Sequence, residues 1–232
     1  RDFGDYSVVS SASSVVYTKL RLGTLVDGES DISNSTATSD DTSGVDDEDG
    51  VTVPSLLPKG SSASLSINVT NTFGALGYLN AWIDFNRNGV LTDSGEQIVT
   101  NTAVANGVSN SSQNYSFTVP TGASIGTAAV RVRITSVSSP GASGASTATG
   151  ETEDYLTTIS CATISLTPTS LTAPSLGSAY SQGAGFNASG GNSPYSYSAT
   201  GVPPGMSFDT SSKKLSGTPT TPGSYTMMVT AV

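Results

Sequence analysis

The chain's 232 residues give room for two modest domains. Its formal charge of −9 and isoelectric point near 4.2 leave only nine scattered Lys and Arg, which excludes the clustered positive charge that a nucleic-acid or anionic-membrane partner needs. No histidine is present, so Ser-His-Asp and Cys-His catalysis are excluded, and the single Cys161 rules out an internal disulfide.

The apolar share is low at 35%, and Ser, Thr, Gly and Asn take up the difference, a mix suited to short strands, many turns and small cores. No apolar run approaches the ~18 residues of a membrane span, so direct membrane insertion is not expected. The chain begins at Arg1 without Met and is read as an excised or mature fragment, any signal peptide or anchor lying outside it. Cys161 is read as a small buried hydrophobe.

In chain order, the first distinctive stretch runs from Asp27 to Gly50. It is acidic and nearly free of large apolar residues, so it is a loop that something else must order. Within it, Asp46, Asp47 and Asp49 lie beside Glu48, Asp40 and Asp41. Such a run is either a solvated acidic loop or a second calcium site, with Asp2 or Asp5 as further ligands.

Strands then follow by alternation: Leu65, Ile67 and Val69, then Leu79, Ala81 and Ile83, then Tyr115, Phe117 and Val119. In 129–135, Val130, Val132 and Ile134 point one way, with Arg131 and Arg133 on the other face. Tyr225, Met227, Val229 and Ala231 alternate near the end. Trp82, Tyr78 and Phe85 are either core or a sugar-stacking platform. If core, Trp82 packs beneath the loop that follows it.

That loop is the sharpest constellation. Asp84, Asn86, Asn88 and Gly89 follow the D-x-[DN]-x-[DN]-G calcium rule, in which oxygens at alternating positions converge as the loop curls. Val90 would add its carbonyl, Thr92 a further oxygen and Glu96 the closing carboxylate. Glu96 falls one residue later than in an EF-hand, and no helix flanks the loop, so the reading is a calcium loop carried between strands. Neutral Asn at two ligand positions implies weak affinity, suited to extracellular calcium. The alternative is a plain turn, since Asn88-Gly89 favours a hairpin by itself.

Downstream, residues 122–126 match G-x-S-x-G, but in a Pro- and Gly-marked loop without a strand-to-helix elbow. Glu151, Glu153 and Asp154 form a third acidic cluster, in which alternation puts Glu151 and Glu153 on one face, and it is a weaker metal candidate. No catalytic residue is assigned. A glycosidase-type carboxylate pair is not separable from the calcium clusters.

A boundary falls near Ser160, giving units 1–159 and 160–232, with no Gly-Ser linker between them. A joint this short implies little bending, with Cys161 partly buried beside it. The fold class expected is all-β, two tandem β-sandwich-like domains.

Over residues 1–159 the segments RDFGDY (1–6), LGTLVDGESD (22–31), DDTSGVDDEDGV (40–51), LNAWIDFNRNGVLTDSGEQIV (79–99), FTVPTGASIGTAAVRVRIT (117–135) and GETEDY (150–155) resemble the GEVED domain family of bacterial extracellular proteins. Thr152 stands where the naming motif has Val, and the His often found in the family's first loop is absent. Residues 163–232, with SLGSAYSQ, ASGGNSPYSYSATGVPPGMSFD and KLSGTPTTPGSYTMMVTAV, resemble the Ig- or cadherin-like modules of bacterial surface proteins, which usually occur in strings.

The resemblance implies a stalk or spacer role inside a long cell-surface or secreted protein. Taken with the loop at 84–96, the expectation is a stalk or fibre segment of an adhesin-type protein, stiffened by Ca2+. Its partners would be neighbouring domains or subunits of the same protein or fibre. The alternatives are a module binding a glycan or protein ligand and a non-catalytic appendage of an extracellular hydrolase.

Overall fold

The computed structural model describes residues 2–4, 6–28, 35–37, 47–191 and 193–232. Asp5, Asp40, Asp41 and Asp46 of the acidic reading lie outside them. The chain is all-β and divides into two compact units, Arg1–Ser160 and Cys161–Val232. No helix among the described residues is long and apolar enough to cross a membrane.

The described residues of unit 1 form eleven strands: β1 (Asp2–Phe3), β2 (Ala12–Val15), β3 (Leu20–Leu22), β4 (Val51–Thr52), β5 (Leu56–Pro58), β6 (Ser62–Asn71), β7 (Gly77–Ile83), β8 (Gln97–Val104), β9 (Val108–Thr118), β10 (Gly126–Thr135) and β11 (Gly144–Ser160). One sheet runs β1-β2-β11-β10-β7-β8, with β5 also on β11; the other runs β3-β6-β4, with β9 also on β6. The alternating apolar residues of the sequence face each other between these sheets. Leu65, Ile67 and Val69 of β6 meet Leu79, Ala81 and Ile83 of β7 and Val130, Val132 and Ile134 of β10, all buried.

The outer face of the first sheet is buried as well. Arg131 and Arg133 do point away from the inter-sheet core, yet both are fully buried. The register sets Arg131 opposite Asp154 and Arg133 opposite Thr152 on β11. Arg131 grips Asp154 with two prongs, Nε to Oδ1 at 2.7 Å and Nη2 to Oδ2 at 2.6 Å. Its remaining donors reach the carbonyls of Ser10 and Ala142. Arg133 donates to Thr152 Oγ1 at 3.1 Å and to the carbonyls of Gly141 and Ser13. The backbone between β1 and β2 and the turn at 139–142 therefore lie over this face, held by guanidinium donors that would otherwise be buried without partners.

Unit 2 is smaller: β12 (Ser165–Thr167) with β14 (Asn187–Ser189), β13 (Tyr180–Ser181) with β17 (Lys214–Gly217) and β16 (Met206–Asp209), and β15 (Tyr197–Thr200) with β18 (Met228–Ala231). Phe186, Ala188 and Tyr197 centre its core, joined by Leu166, Phe208, Met227 and Val229. The final strand is shorter than the alternation from Tyr225 suggests. Pro222 and Gly223 precede it, and Tyr225 stays 40% exposed with its hydroxyl on the Thr221 carbonyl. Cys161, expected partly buried, is exposed.

Removing one member of a buried ion pair strands the other and costs about 3–5 kcal/mol. Asp154→Ala is accordingly expected to lower unit 1 stability by about that amount in urea unfolding. The double variant Arg131→Met with Asp154→Leu should recover much of the loss, because an apolar pair leaves no charge without a partner.

Candidate metal centre

The loop 84–96 joins β7 to β8. Its ends are tied down by backbone bonds, Ile83 N to Glu96 O at 2.9 Å and Asp84 N to Ala129 O at 3.0 Å. Leu91 is buried in the middle of it. Between these anchors the chain curls as the alternation of oxygen-bearing residues suggests. Asp84 Oδ1 accepts from Asn88 N at 3.1 Å, and Oδ2 accepts from Gly89 N at 2.9 Å. Asn86 Oδ1 accepts from Asn88 N, and Asn88 Oδ1 from Val90 N. Gly89 supplies the turn at φ +81°, where a side chain would be strained.

Glu96 closes the curl. Its Oε1 accepts from Asn86 N at 3.2 Å, while its buried Oε2 has no hydrogen-bond partner. Asp84 and Glu96 are 3% and 2% exposed. Burial, followed by the charges of Asp84 and Asp93, pushes the Glu96 carboxyl above the usual carboxylate range, against the Asn86 N–H that lowers it. Asp93, which the ligand reading passed over, stands across the loop. Its Oδ2 accepts from Asn86 Nδ2 at 2.7 Å and from Asn88 Nδ2 at 2.8 Å. The signal for it was its position inside the same loop. Val90 and Thr92 sit on the exposed side.

The donor set therefore consists of three carboxylates, two carboxamides and backbone carbonyls, all oxygen chemistry suited to a hard cation. Asn86 and Asn88 now donate to Asp93 through Nδ2; rotating either carboxamide would turn its oxygen toward Asp93 and take it off the backbone N–H that it now accepts. Among the described residues no three His, Cys, Asp or Glu side chains are grouped so that they could hold a metal ion, and the three carboxylates of this loop are no exception. A cation here would depend on the amide and carbonyl oxygens. The group that fits it best is the partnerless Glu96 oxygen.

The other acidic candidates engage the backbone. Asp49 accepts from Thr24 N at 2.9 Å, and Asp47 from Asp27 N at 2.8 Å, zipping the base of the acidic loop. Glu151 and Glu153 share a face, opposite Ile134 and Val132, and so look into the inter-sheet space. Glu151 accepts from Leu22 N. Glu153 Oε1 accepts from Gly50 N at 3.0 Å, and Oε2 accepts from the Tyr155 hydroxyl at 3.1 Å. A Cβ on Gly50 would lie 2.5 Å from Gly23 N and 2.9 Å from Glu153 Oε1, so only glycine fits at this meeting of strands. Asp154 takes the opposite face, against Arg131. The three residues of this cluster therefore do not meet at one point.

Trp82 and Phe85 do not form a platform. Trp82 packs on the outer face with Tyr6, Val9 and Leu91, while Phe85 packs in the inter-sheet core near Phe117. The G-x-S-x-G segment is a loop, with Ala123 N on Pro120 O and Ser124 N on Phe85 O.

Residues 78–158 match the GEVED domain family, and residues 155–232 match the family described as "Putative Ig domain". The first match spans both the 84–96 loop and the 150–155 strand. Among solved structures, the CARDB domain of a Pyrococcus furiosus protein, crystallised in complex with di-metal ions, is similar at 12% identity and a TM-score of 0.30. That match covers 47% of this chain and 84% of that one, a likeness too distant to bear on any site. No curated protein matches the chain.

Burial, and then the neighbouring Asp49 and Asp47, raise the Glu153 carboxyl well above its ordinary range. The folded state then holds a proton that the unfolded chain releases near pH 4.3. Glu153's contribution to stability is complete below about pH 4.3 and is lost as pH rises toward the folded value. In calcium-free buffer, Glu153→Gln should therefore gain stability relative to wild type between about pH 4.5 and 7. Urea midpoints measured across that range check this; a difference independent of pH would contradict it.

Proposed function

We propose that this chain is a calcium-stiffened structural module, a stalk or fibre segment of a secreted or cell-surface bacterial protein. The single observation that carries the reading is the 84–96 loop. It is already curled around Asp84, and its closing Glu96 holds a buried oxygen without a partner. Ig-like modules are typical of bacterial surface proteins, and one follows the GEVED match here.

In this reading Asp84, Asn86, Asn88 and Glu96 supply side-chain oxygens and Val90 its carbonyl, with Asp93 adding charge across the loop. The ion offsets most of the negative charge of Asp84, Asp93 and Glu96 at the end of β7 and fixes the turn into β8. Its role is mechanical. It holds one edge of the first sheet against thermal opening, and neighbouring domains or subunits of the same protein or fibre carry that stiffness onward.

A ligand bound only by the folded state at about 100 times its dissociation constant adds about 2.7 kcal/mol. For a unit of this size that corresponds to about 5–10 °C in melting temperature. Millimolar calcium is expected to raise the unit 1 transition by that order in calorimetry, and Asp84→Asn should lose most of the gain. Superimposable transitions in calcium and in chelator would contradict the reading.

A further inference from the structure

The N-terminal segment Tyr6–Ser10 crosses the outer face of the first sheet and is attached at two places. One attachment is the buried ion pair. Tyr6 N donates to Asp154 Oδ2 at 3.1 Å, and Arg131 Nη1 donates to the Ser10 carbonyl at 2.5 Å. The other attachment is the 84–96 loop itself. Tyr6 and Val9 are buried in one cluster with Leu91 of the loop, together with Trp82, Ala129 and Ala142. A Cβ on Gly89 would lie 2.6 Å from the Val8 carbonyl oxygen, so loop and segment touch backbone to backbone with no room for a side chain between them. Burial, and then the Asp84 charge, push the Tyr6 phenol up, which places the segment within the field of the loop's first carboxylate.

Gly89 and Leu91 hold their places because the loop is curled, and the curl rests on Asp84 accepting from Asn88 and Gly89. Without a cation, Asp84, Asp93 and Glu96 repel one another across that curl. With one, the repulsion becomes attraction, and the surface that seats Tyr6, Val8 and Val9 becomes rigid.

We infer that calcium in this loop clamps Tyr6–Ser10 onto the first sheet, so that the ion controls whether the face around Trp82 is covered; the inference rests on the calcium reading above. The ion pair holds both ends of the segment, Tyr6 and Ser10, in either state, and the middle, Val8 and Val9 against the loop, is the part that lifts. By linkage the coupling is reciprocal, and a docked segment raises the affinity of the loop for calcium by the same factor.

The chain contains one tryptophan, and Trp82, 3% exposed beneath the segment, is therefore a built-in reporter. Three measurements on the full chain, in about 2 mM calcium and in chelator, test the inference: calorimetric titration of calcium, acrylamide quenching of Trp82, and amide hydrogen exchange at Val8 and Val9. The expected result is calcium binding accompanied by at least about fivefold weaker quenching and slower exchange at Val8 and Val9. Tyr6→Ala, with Val9→Ala as the milder variant, should weaken calcium binding by a similar factor, and Asp84→Asn should abolish the calcium effect on Trp82. Calcium binding with unchanged quenching and exchange would overturn the clamp and leave the calcium reading standing. No calcium binding at all would overturn both.

Discussion

Among the described residues of unit 1, buried carboxyl groups outnumber buried cations: Asp47, Asp84, Glu96, Glu151, Glu153 and Asp154 are buried beside Arg131 and Arg133. An isolated ionised carboxylate in a low-dielectric interior costs several kcal/mol, so each must find an opposite charge, backbone donors, a proton or a metal ion. Asp154 finds Arg131. Asp47, Glu151 and Glu153 find backbone N–H groups, and Glu153 leans further on a proton. Asp84 and Glu96 fall in one short loop with Asp93 opposite, and there the supply of donors runs out at Glu96 Oε2.

These solutions also explain the architecture. Outside the 84–96 loop, carboxylates that accept backbone donors join elements far apart in sequence: Glu151 to the end of β3, Glu153 to the start of β4, and Asp49 to Thr24. The polar run of β11 is thus a seam, with Glu151 and Glu153 fastening the second sheet and Asp154 fastening the N-terminal backbone. A sandwich rich in Ser, Thr and Gly has modest apolar area to bury, and charge-assisted hydrogen bonds across layers supply part of the missing cohesion.

Much of this was legible in the sequence, and the exceptions have physical reasons. The alternation in 65–69, 79–83 and 130–134 names the inner core correctly, because period two is a local property of a strand. The same alternation puts Arg131 and Arg133 outside that core but cannot reveal that they are buried. Their cover comes from residues 10 and 13, some 120 positions away, and no local pattern encodes it. Glu151 and Glu153 read naturally as solvated or metal-bound until the β10–β11 register sets them opposite Ile134 and Val132. The aromatic platform fails because β7 ends at Ile83, and the turn at 83–85 carries Phe85 into the inter-sheet core while Trp82 stays on the outer face. The 84–96 loop stands out by spacing alone, and the structure shows it curled with Asp84 accepting from Asn88 and Gly89. Asp93 was passed over because its role depends on a cross-loop contact.

The account turns on a cation relieving the charge gathered at the end of β7, and anomalous diffraction from crystals grown in millimolar calcium tests it most directly. The account predicts a calcium peak within ligand distance, about 2.3–2.6 Å, of oxygens of Asp84, Asn86, Asn88, Glu96 and the Val90 carbonyl, with the two carboxamides turned to present oxygen. A loop that keeps both amide nitrogens on Asp93 and shows no peak at saturating calcium would contradict it.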